Sequence, residues 1–306
     1  MSPAAAKVAV EVEGRALVLT NLGKVLYPQT GLTKAAVIEY YTRVAPVLLP
    51  HVRGRPLTFK RYPNGVDGGF FFEKNAPNST PDWVRRVTLA SPGSTKNRET
   101  ITYAVLGDLP TLVWAANLAS LEFHVPMWRV DSGGEAGGAD LMVFDLDPGP
   151  PATIVECCMV AGLLRAALAT DGLAAYPKTS GSKGLQLYVP LPETSAERTS
   201  AYARALAQRL EQENPDLVVW RMTKALRPGK VLVDWSQNSA AKTTVAVYSL
   251  RARPRPTVST PVSWDEVESC HSADDLVFTS DAVLARVERA GDLFAAALHP
   301  GVPLPS

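Results

Sequence analysis

Cysteine is scarce, with three in 306 residues. Two of them, Cys157 and Cys158, are adjacent, so the chain has neither a disulfide framework nor the spacing of a zinc site. All three are expected to be reduced and structural. Long apolar runs are also missing: the stretch 157–169 is broken by Arg165 and falls short of the roughly 18 residues a membrane span needs. Residues 1–7 have neither a charged start with an apolar core nor a cleavage pattern, so nothing marks the chain for export. A cytoplasmic address with no membrane is expected. Internal repeats are absent. Net charge is nearly absent too, at +1.

What is present is the composition of a folded protein. Apolar residues make up 46% and charged residues 20%, which excludes disorder, collagen and coiled coil. The length suits one large domain or two ordinary ones, with a sizeable core in either case. The near-zero total hides uneven charge: +5 over residues 1–75, −5 over 76–219, +7 over 220–255 and −6 over 256–306. Arg221, Lys224, Arg227 and Lys230, then Lys242, Arg251, Arg253 and Arg255, suit a polyanion such as nucleic acid or a triphosphate. The plainer alternative is a solvated basic face.

Periodicity predicts a strand at 16–20, then a helix capped by Thr33 that runs through Val37, Tyr40, Tyr41 and Val44 towards Leu48, with Pro46 and Pro50 bending or ending it. Strands are predicted at 57–61, 84–89, 101–105 and 121–125, with a helix at 111–119. The Gly-rich segment 131–139 reads as a mobile loop. Beyond it come strands at 141–146, 174–179, 185–190, 231–235 and 243–248. Helices are predicted at 153–170, 195–212 and 281–297, and a Pro-rich segment at 253–261. Strands and helices intermix without strict alternation, which argues α+β with largely antiparallel sheets.

Two features carry chemistry. Asp145 and Asp147 follow the apolar run 141–144, and a strand period of two points both to one face while Leu146 enters the core. Carboxylates so placed repel and are stabilised by a divalent cation, with hard oxygen ligands favouring Mg²⁺ or Mn²⁺ over zinc. The plainer alternative is a polar Asp-Pro-Gly turn. Asp234 is a third acid at a strand end, after Val231, Leu232 and Val233. Three carboxylates suit a two-metal phosphoryl or nucleotidyl transfer, provided Asp234 faces the pair, which spacing does not fix. Separately, Ser180, Gly181, Ser182, Lys183 and Gly184 form a turn between two strands, with donors suited to phosphate. It lacks the spacing of a Walker A loop and precedes a strand, which argues against a P-loop NTPase. Alone, it is equally an ordinary hairpin.

Six segments in order, LTNLGKVLYPQTGLTK, RPLTFKRYPNGVDGGFFFEK, EFHVPMW, LMVFDLDPG, TSGSKGL and RPGKVLVDWSQN, strongly resemble the polymerase domain of bacterial ligase D and its stand-alone relatives, within the archaeo-eukaryotic primase superfamily. The resemblance runs from about residue 14 to 297. It implies a single primase-polymerase catalytic domain over 1–306, with 1–13 a poorly ordered extension. The implied fold is an α+β, archaeo-eukaryotic primase-type one with mostly antiparallel sheets flanked by helices. It also implies a DNA-repair nucleotidyltransferase that adds nucleotides, with ribonucleotides preferred over deoxynucleotides, to a 3′-hydroxyl at short gaps or break ends, with Mn²⁺ or Mg²⁺ in a two-metal site.

By matching motifs, Asp145, Asp147 and Asp234 are the metal-binding and catalytic acids. His124, Ser180, Lys183, Gln186, Arg227, Lys230 and Arg251 are the nucleotide-binding set. Asn21, Lys24 and Lys34 match a pocket for the 5′-phosphate downstream of a gap, Lys60 and Arg61 a DNA surface, and Phe71 and Phe72 aromatics beside the template. Without the motif context, His124 reads as a core histidine, the lysines as surface residues and the Phe run as core. Gln186 stands where the family usually has histidine, so a gain in catalytic efficiency is expected from Gln186→His. The implied partners are DNA with a gap or a 3′-protruding end and a 5′-phosphate, nucleoside triphosphates, a separate ATP-dependent ligase and a Ku-type protein. The chain is expected to be a stand-alone monomer at the bacterial nucleoid. The rival from another class is a catalytically weak scaffold that binds 5′-phosphorylated ends for a ligase.

Overall fold

The computed structural model describes residues 7–91 and 99–305. Its centre is a six-stranded sheet built on the long strand Ala136–Pro148. The spatial order is Tyr176–Thr179, Leu185–Thr194, Ala136–Pro148, Val231–Asp234, Val218–Val219. Neighbours are antiparallel except for the final pair, and Trp128–Val130 pairs antiparallel with the start of the long strand.

Alternation along the long strand divides the interior. Met142, Phe144 and Leu146 enter a core roofed by helices Ile154–Thr170 and Ala196–Glu213, whereas Val143 enters a second core on the opposite face, with Tyr188. That second core is built on helices Lys34–Val52 and Leu109–Asn117 and a four-stranded antiparallel sheet, in the order Thr244–Val245, Ser120–Val125, Thr58–Arg61, Phe71–Glu73. Each fully buried Leu or Phe contributes about 1.5–3 kcal/mol. Past Val143, the face that carries Asp145 and Asp147 opens into a cleft between the two sheets.

The α+β architecture with mostly antiparallel sheets agrees with the sequence expectation, and so do the helix starts. Thr33 accepts from the Ala36 N–H, and Thr153 forms a reciprocal capping box with Glu156. Several local expectations are corrected. The helix Lys34–Val52 contains both Pro46 and Pro50 and ends at neither; its face of Val37, Tyr40, Tyr41, Val44, Leu48 and Val52 is buried along its whole length, which outweighs the lost donors. Residues 7–12 are not an unordered extension but a strand, Lys7–Val12, paired with Arg15–Thr20, with Val10 and Val12 on the core. The rest of that expected extension, residues 1–6, lies outside the described residues.

The Gly-rich segment is not a loop beyond residue 135. Residues 136–139 open the long strand, and glycine is needed because a Cβ at Gly138 would stand 2.4 Å from the Thr194 carbonyl oxygen. The last helix is shorter than expected, Ser280–Ala290, followed by a separate turn at Ala295–Leu298. Between them Asp292 accepts hydrogen bonds from His51 and Tyr248 and ties the chain to the second core. All three cysteines are buried and free. Among the described residues no helix is long and apolar enough to cross a membrane.

Candidate active site

Register assembles the acids. Asp145 lies directly opposite Asp234 on one neighbouring strand and opposite Gln186 on the other, and Gln186 lies opposite Lys178. Opposed residues share a face, so Asp234 faces the pair, the point spacing alone left open. The acids are differently engaged. Asp234 accepts from the Ser236 N–H and hydroxyl at 2.9 and 2.6 Å and from Gln237 Nε2 at 2.8 Å. Asp145 and Asp147 make no ion pair among the described residues. Burial and then the charge of Asp147 raise the pKa of Asp145, while burial and then Asp234 raise that of Asp147.

Among the described residues no three His, Cys, Asp or Glu side chains close around one point as a formed metal cage. What does fit a cation is the donor chemistry: two hard carboxylates on one strand face, crowded by a third, with no cation of the described residues bonded to them. Asp234, held by Ser236 and Gln237, would have to share its oxygens to join them.

Asp145 and Asp147, but not the buried Asp234, line a cleft of about 410 Å³ with His124, Ser180, Ser182, Lys183, Gln186, Gln237, Thr244, Arg251 and Arg253. The glycine turn is pinned to the acidic strand, since a Cβ at Gly184 would stand 2.0 Å from the Leu146 carbonyl oxygen. The Ser180 hydroxyl accepts from the N–H groups of Ser182 and Gly184, at 3.3 and 3.2 Å, so it shapes the turn. Arg251 donates to the Ser180 carbonyl and Arg253 to the Ser182 hydroxyl. Lys183 is exposed and makes no hydrogen bond or ion pair among the described residues. Arg227 does not line the cavity, but its charge reaches Asp147 and lowers the pKa of that carboxyl. Lys230 is not brought to the cleft; its Nζ donates to the Pro215 carbonyl.

The opposite wall is organised by a residue the sequence reading passed over. Glu122 is buried, with His124 Nε2 2.9 Å away, Lys60 Nζ 3.3 Å away and Arg251 Nε 3.3 Å away. The hydrogen bond from His124 and the charges of Arg251 and Lys60 hold its carboxyl well below the usual carboxylate range despite burial. His124 is pushed down by burial, against the pull of Glu122, so at neutral pH it donates from Nε2 and keeps Nδ1 as an acceptor. The signal was the period-two spacing of Glu122 and His124 on one strand. Lys178 and Gln237 were also missed, because their meaning comes from partners far away in sequence.

Phe70, Phe71 and Phe72 are exposed rather than core. Lys60 Nζ lies 4.5 Å from the Phe70 ring, Arg61 lies 5.1 Å from that of Phe71, and Phe72 meets His124 edge-on at 5.8 Å. Arg61 also donates to Glu73 at 2.6 Å. The aromatic strip thus runs up to the cleft. At the start of helix Lys34–Val52, the turn carrying Asn21 and Lys24 folds onto Lys34 through the Lys34 N–H to Lys24 carbonyl bond, 2.8 Å long. Lys34 Nζ donates to the Thr20 carbonyl at 2.6 Å. Burial, then the charges of Lys24 and Arg61, lower its pKa to about 8. Crowded cations of this kind suit an anion.

The family described as LigD, primase-polymerase domain matches residues 33–294. The multifunctional non-homologous end joining protein LigD of Mycolicibacterium smegmatis is 50% identical over 278 residues, covering 90% of this chain and 35% of that protein. The corresponding DNA repair protein LigD of Mycobacterium tuberculosis is 48% identical over 281 residues, covering 90% and 36%. The chain therefore spans about a third of the length of these relatives. Among solved structures, the polymerase domain from Mycobacterium tuberculosis Ligase D in complex with DNA matches with a TM-score of 0.86 at 46% identity, covering 92% of this chain and 98% of that one.

Proposed function

The chain belongs to the LigD primase-polymerase domain family, and from that premise we propose that it is a DNA-repair primase-polymerase. It adds nucleotides, ribonucleotides by preference, to a 3′-hydroxyl at short gaps or double-strand-break ends, and it recognises a downstream 5′-phosphate. The observation that carries this reading is the pair Asp145 and Asp147, without an ion-pair partner among the described residues, facing a cleft whose other groups include Lys183, Arg251 and Arg253.

In this reading Asp145 and Asp147, with Asp234 beside them, hold Mn²⁺ or Mg²⁺, which when bound supplies Lewis-acid activation of the 3′-hydroxyl and charge neutralisation at the leaving pyrophosphate. Lys183, Arg251 and Arg253 bind the triphosphate, and Arg227 adds positive potential near Asp147. Neutral His124 offers Nδ1 as an acceptor to the sugar. Phe71 and Phe72 stack on template bases. Asn21, Lys24 and Lys34 hold the 5′-phosphate about the helix start, with Arg61 adding charge. A ligase and a Ku-type end-binding protein are the partners that the end-joining names of the relatives suggest.

The test is primer extension on a short-gap DNA with a downstream 5′-phosphate, comparing ribo- and deoxynucleotides in Mn²⁺ and in Mg²⁺, with Asp145→Ala/Asp147→Ala as the control. Extension by the wild type that is lost in the control is expected. Tight DNA binding with no extension under any condition would replace this reading with that of a 5′-phosphate scaffold.

A further inference from the structure

Resting on the polymerase reading above, we propose that Lys178 is a positioning residue for the acidic site. It locks the side-chain amide of Gln186 with its N–H towards Asp145 and places a buried positive charge behind the carboxylates.

Lys178, Gln186, Asp145 and Asp234 form one row across four adjacent strands. Lys178 has 0% exposure. Its Nζ lies 2.5 Å from Gln186 Oε1, 2.7 Å from Ser259 Oγ and 3.1 Å from the Val245 carbonyl oxygen. The Ser259 hydroxyl donates its own proton to the Thr179 carbonyl at 2.9 Å, so towards Lys178 it accepts. Three acceptors therefore surround Nζ. An ammonium has three donors, whereas an amine has two and a lone pair that would face an acceptor. With Gln186 Oε1 turned to Nζ, the charged form alone satisfies all three acceptors; burial pulls the Lys178 pKa well below the ordinary lysine value, and the charge of Asp145 opposes that pull.

The consequence falls on Gln186. Its amide has two orientations of nearly equal shape, and one of them would turn a carbonyl oxygen towards the carboxylates. With Oε1 bound to Lys178, Nε2 is the end left for the cleft, which Gln186 lines directly opposite Asp145 in the strand register. Lys178 does not line the cleft, so it acts through this amide and through its charge. Histidine, usual in the motif, brings a ring N–H and the capacity for positive charge in one side chain. Glutamine brings the N–H alone, and Lys178 supplies the charge. On this view Gln186→His by itself gives no gain, because Lys178 already supplies the positive charge that a histidine would bring.

The test is a double-mutant cycle on single-nucleotide insertion at the short-gap substrate with wild type, Lys178→Met, Gln186→His and the double variant. Lys178→Met is expected to lower kcat by about tenfold or more with nucleotide KM within about threefold, and the double variant is expected to recover to within about threefold of wild type. Equal losses from Lys178→Met in the Gln and His backgrounds would reduce Lys178 to packing and overturn the proposal. If Lys178→Met does not fold, Lys178→Gln, which keeps a donor without the charge, is run in both backgrounds under the same criterion. A second readout is independent of turnover: the ¹⁵N–¹H resonances of the Gln186 amide, assigned by their loss in Gln186→His, should shift and broaden in the Lys178 variant. Unmoved resonances count against the proposal. A wild type that extends nothing removes the polymerase reading, and these resonances then decide the positioning by themselves.

Discussion

His124 Nε2 lies 2.9 Å from Glu122 Oε2, two residues back on the same strand, and this short link joins the cleft to a buried charge cluster. Glu122 also meets Lys60 and Arg251 and accepts from the Ala252 N–H at 3.1 Å. One carboxylate thus orients the cleft histidine and Arg251, which lines the same cleft. Removing its charge leaves those cations without their buried partner. Glu122→Gln is expected to destabilise the fold by about 3–5 kcal/mol, the range for a broken buried ion pair, and to raise the nucleotide KM. Urea unfolding and steady-state insertion kinetics check the two effects separately.

The glycine turn makes a sharper demand. A Cβ at Gly184 would meet the Leu146 carbonyl oxygen at 2.0 Å, so Gly184→Ala must push the turn off the strand that carries Asp145 and Asp147. A loss of about 3 kcal/mol or more is expected, since neither backbone can yield without breaking ladder bonds. Lys183 moves with the turn, so the nucleotide KM should rise in any fraction that folds. Denaturant midpoints and KM measured on the same preparation test this.

What was legible in the sequence was local. A period of two placed Asp145 and Asp147 on one face, and the cap at Thr33 marked a helix start. The opposition of Asp234 to Asp145 depends on the pairing of strands some ninety residues apart, which no local pattern encodes. Lys178 reads as an ordinary strand lysine until Gln186, Val245 and Ser259 are brought around it. The glycines at 137 and 138 look like a loop because their cause, the close approach of another strand, lies more than fifty residues away. Lys230 matched a motif, yet its side chain is taken by a carbonyl.

Phe71 and Phe72 can be separated from stability. Both are exposed, so Phe71→Ala and Phe72→Ala should leave the unfolding midpoint nearly unchanged, within about 0.5 kcal/mol. Base stacking on an aromatic is worth about 1–3 kcal/mol, so affinity for a gapped template should fall by about fivefold or more. Phe72→Ala should also affect insertion, because its ring packs against that of His124. Fluorescence anisotropy with labelled gapped DNA, alongside thermal melts, would sink this reading if stability fell and affinity did not.

Lys34 couples two pH responses of opposite sign. Burial, then Lys24 and Arg61, lower its pKa to about 8, below the roughly 10.4 of an unfolded lysine. Between those values the unfolded chain holds a proton that the folded chain has shed, so this residue makes folding more favourable as pH rises. Binding of a 5′-phosphate goes the other way, since it needs the ammonium. The preference for a 5′-phosphorylated over a 5′-hydroxyl gap should therefore weaken from pH 7 to 9, well before an ordinary lysine would titrate. Lys34→Arg keeps its charge across that window and should flatten the profile, while Lys34→Ala should remove most of the preference at every pH and reduce the salt slope of binding by about one. Anisotropy titrations of the two DNAs across this pH range provide the check, and a preference that holds constant in the wild type would exclude Lys34 from the phosphate pocket.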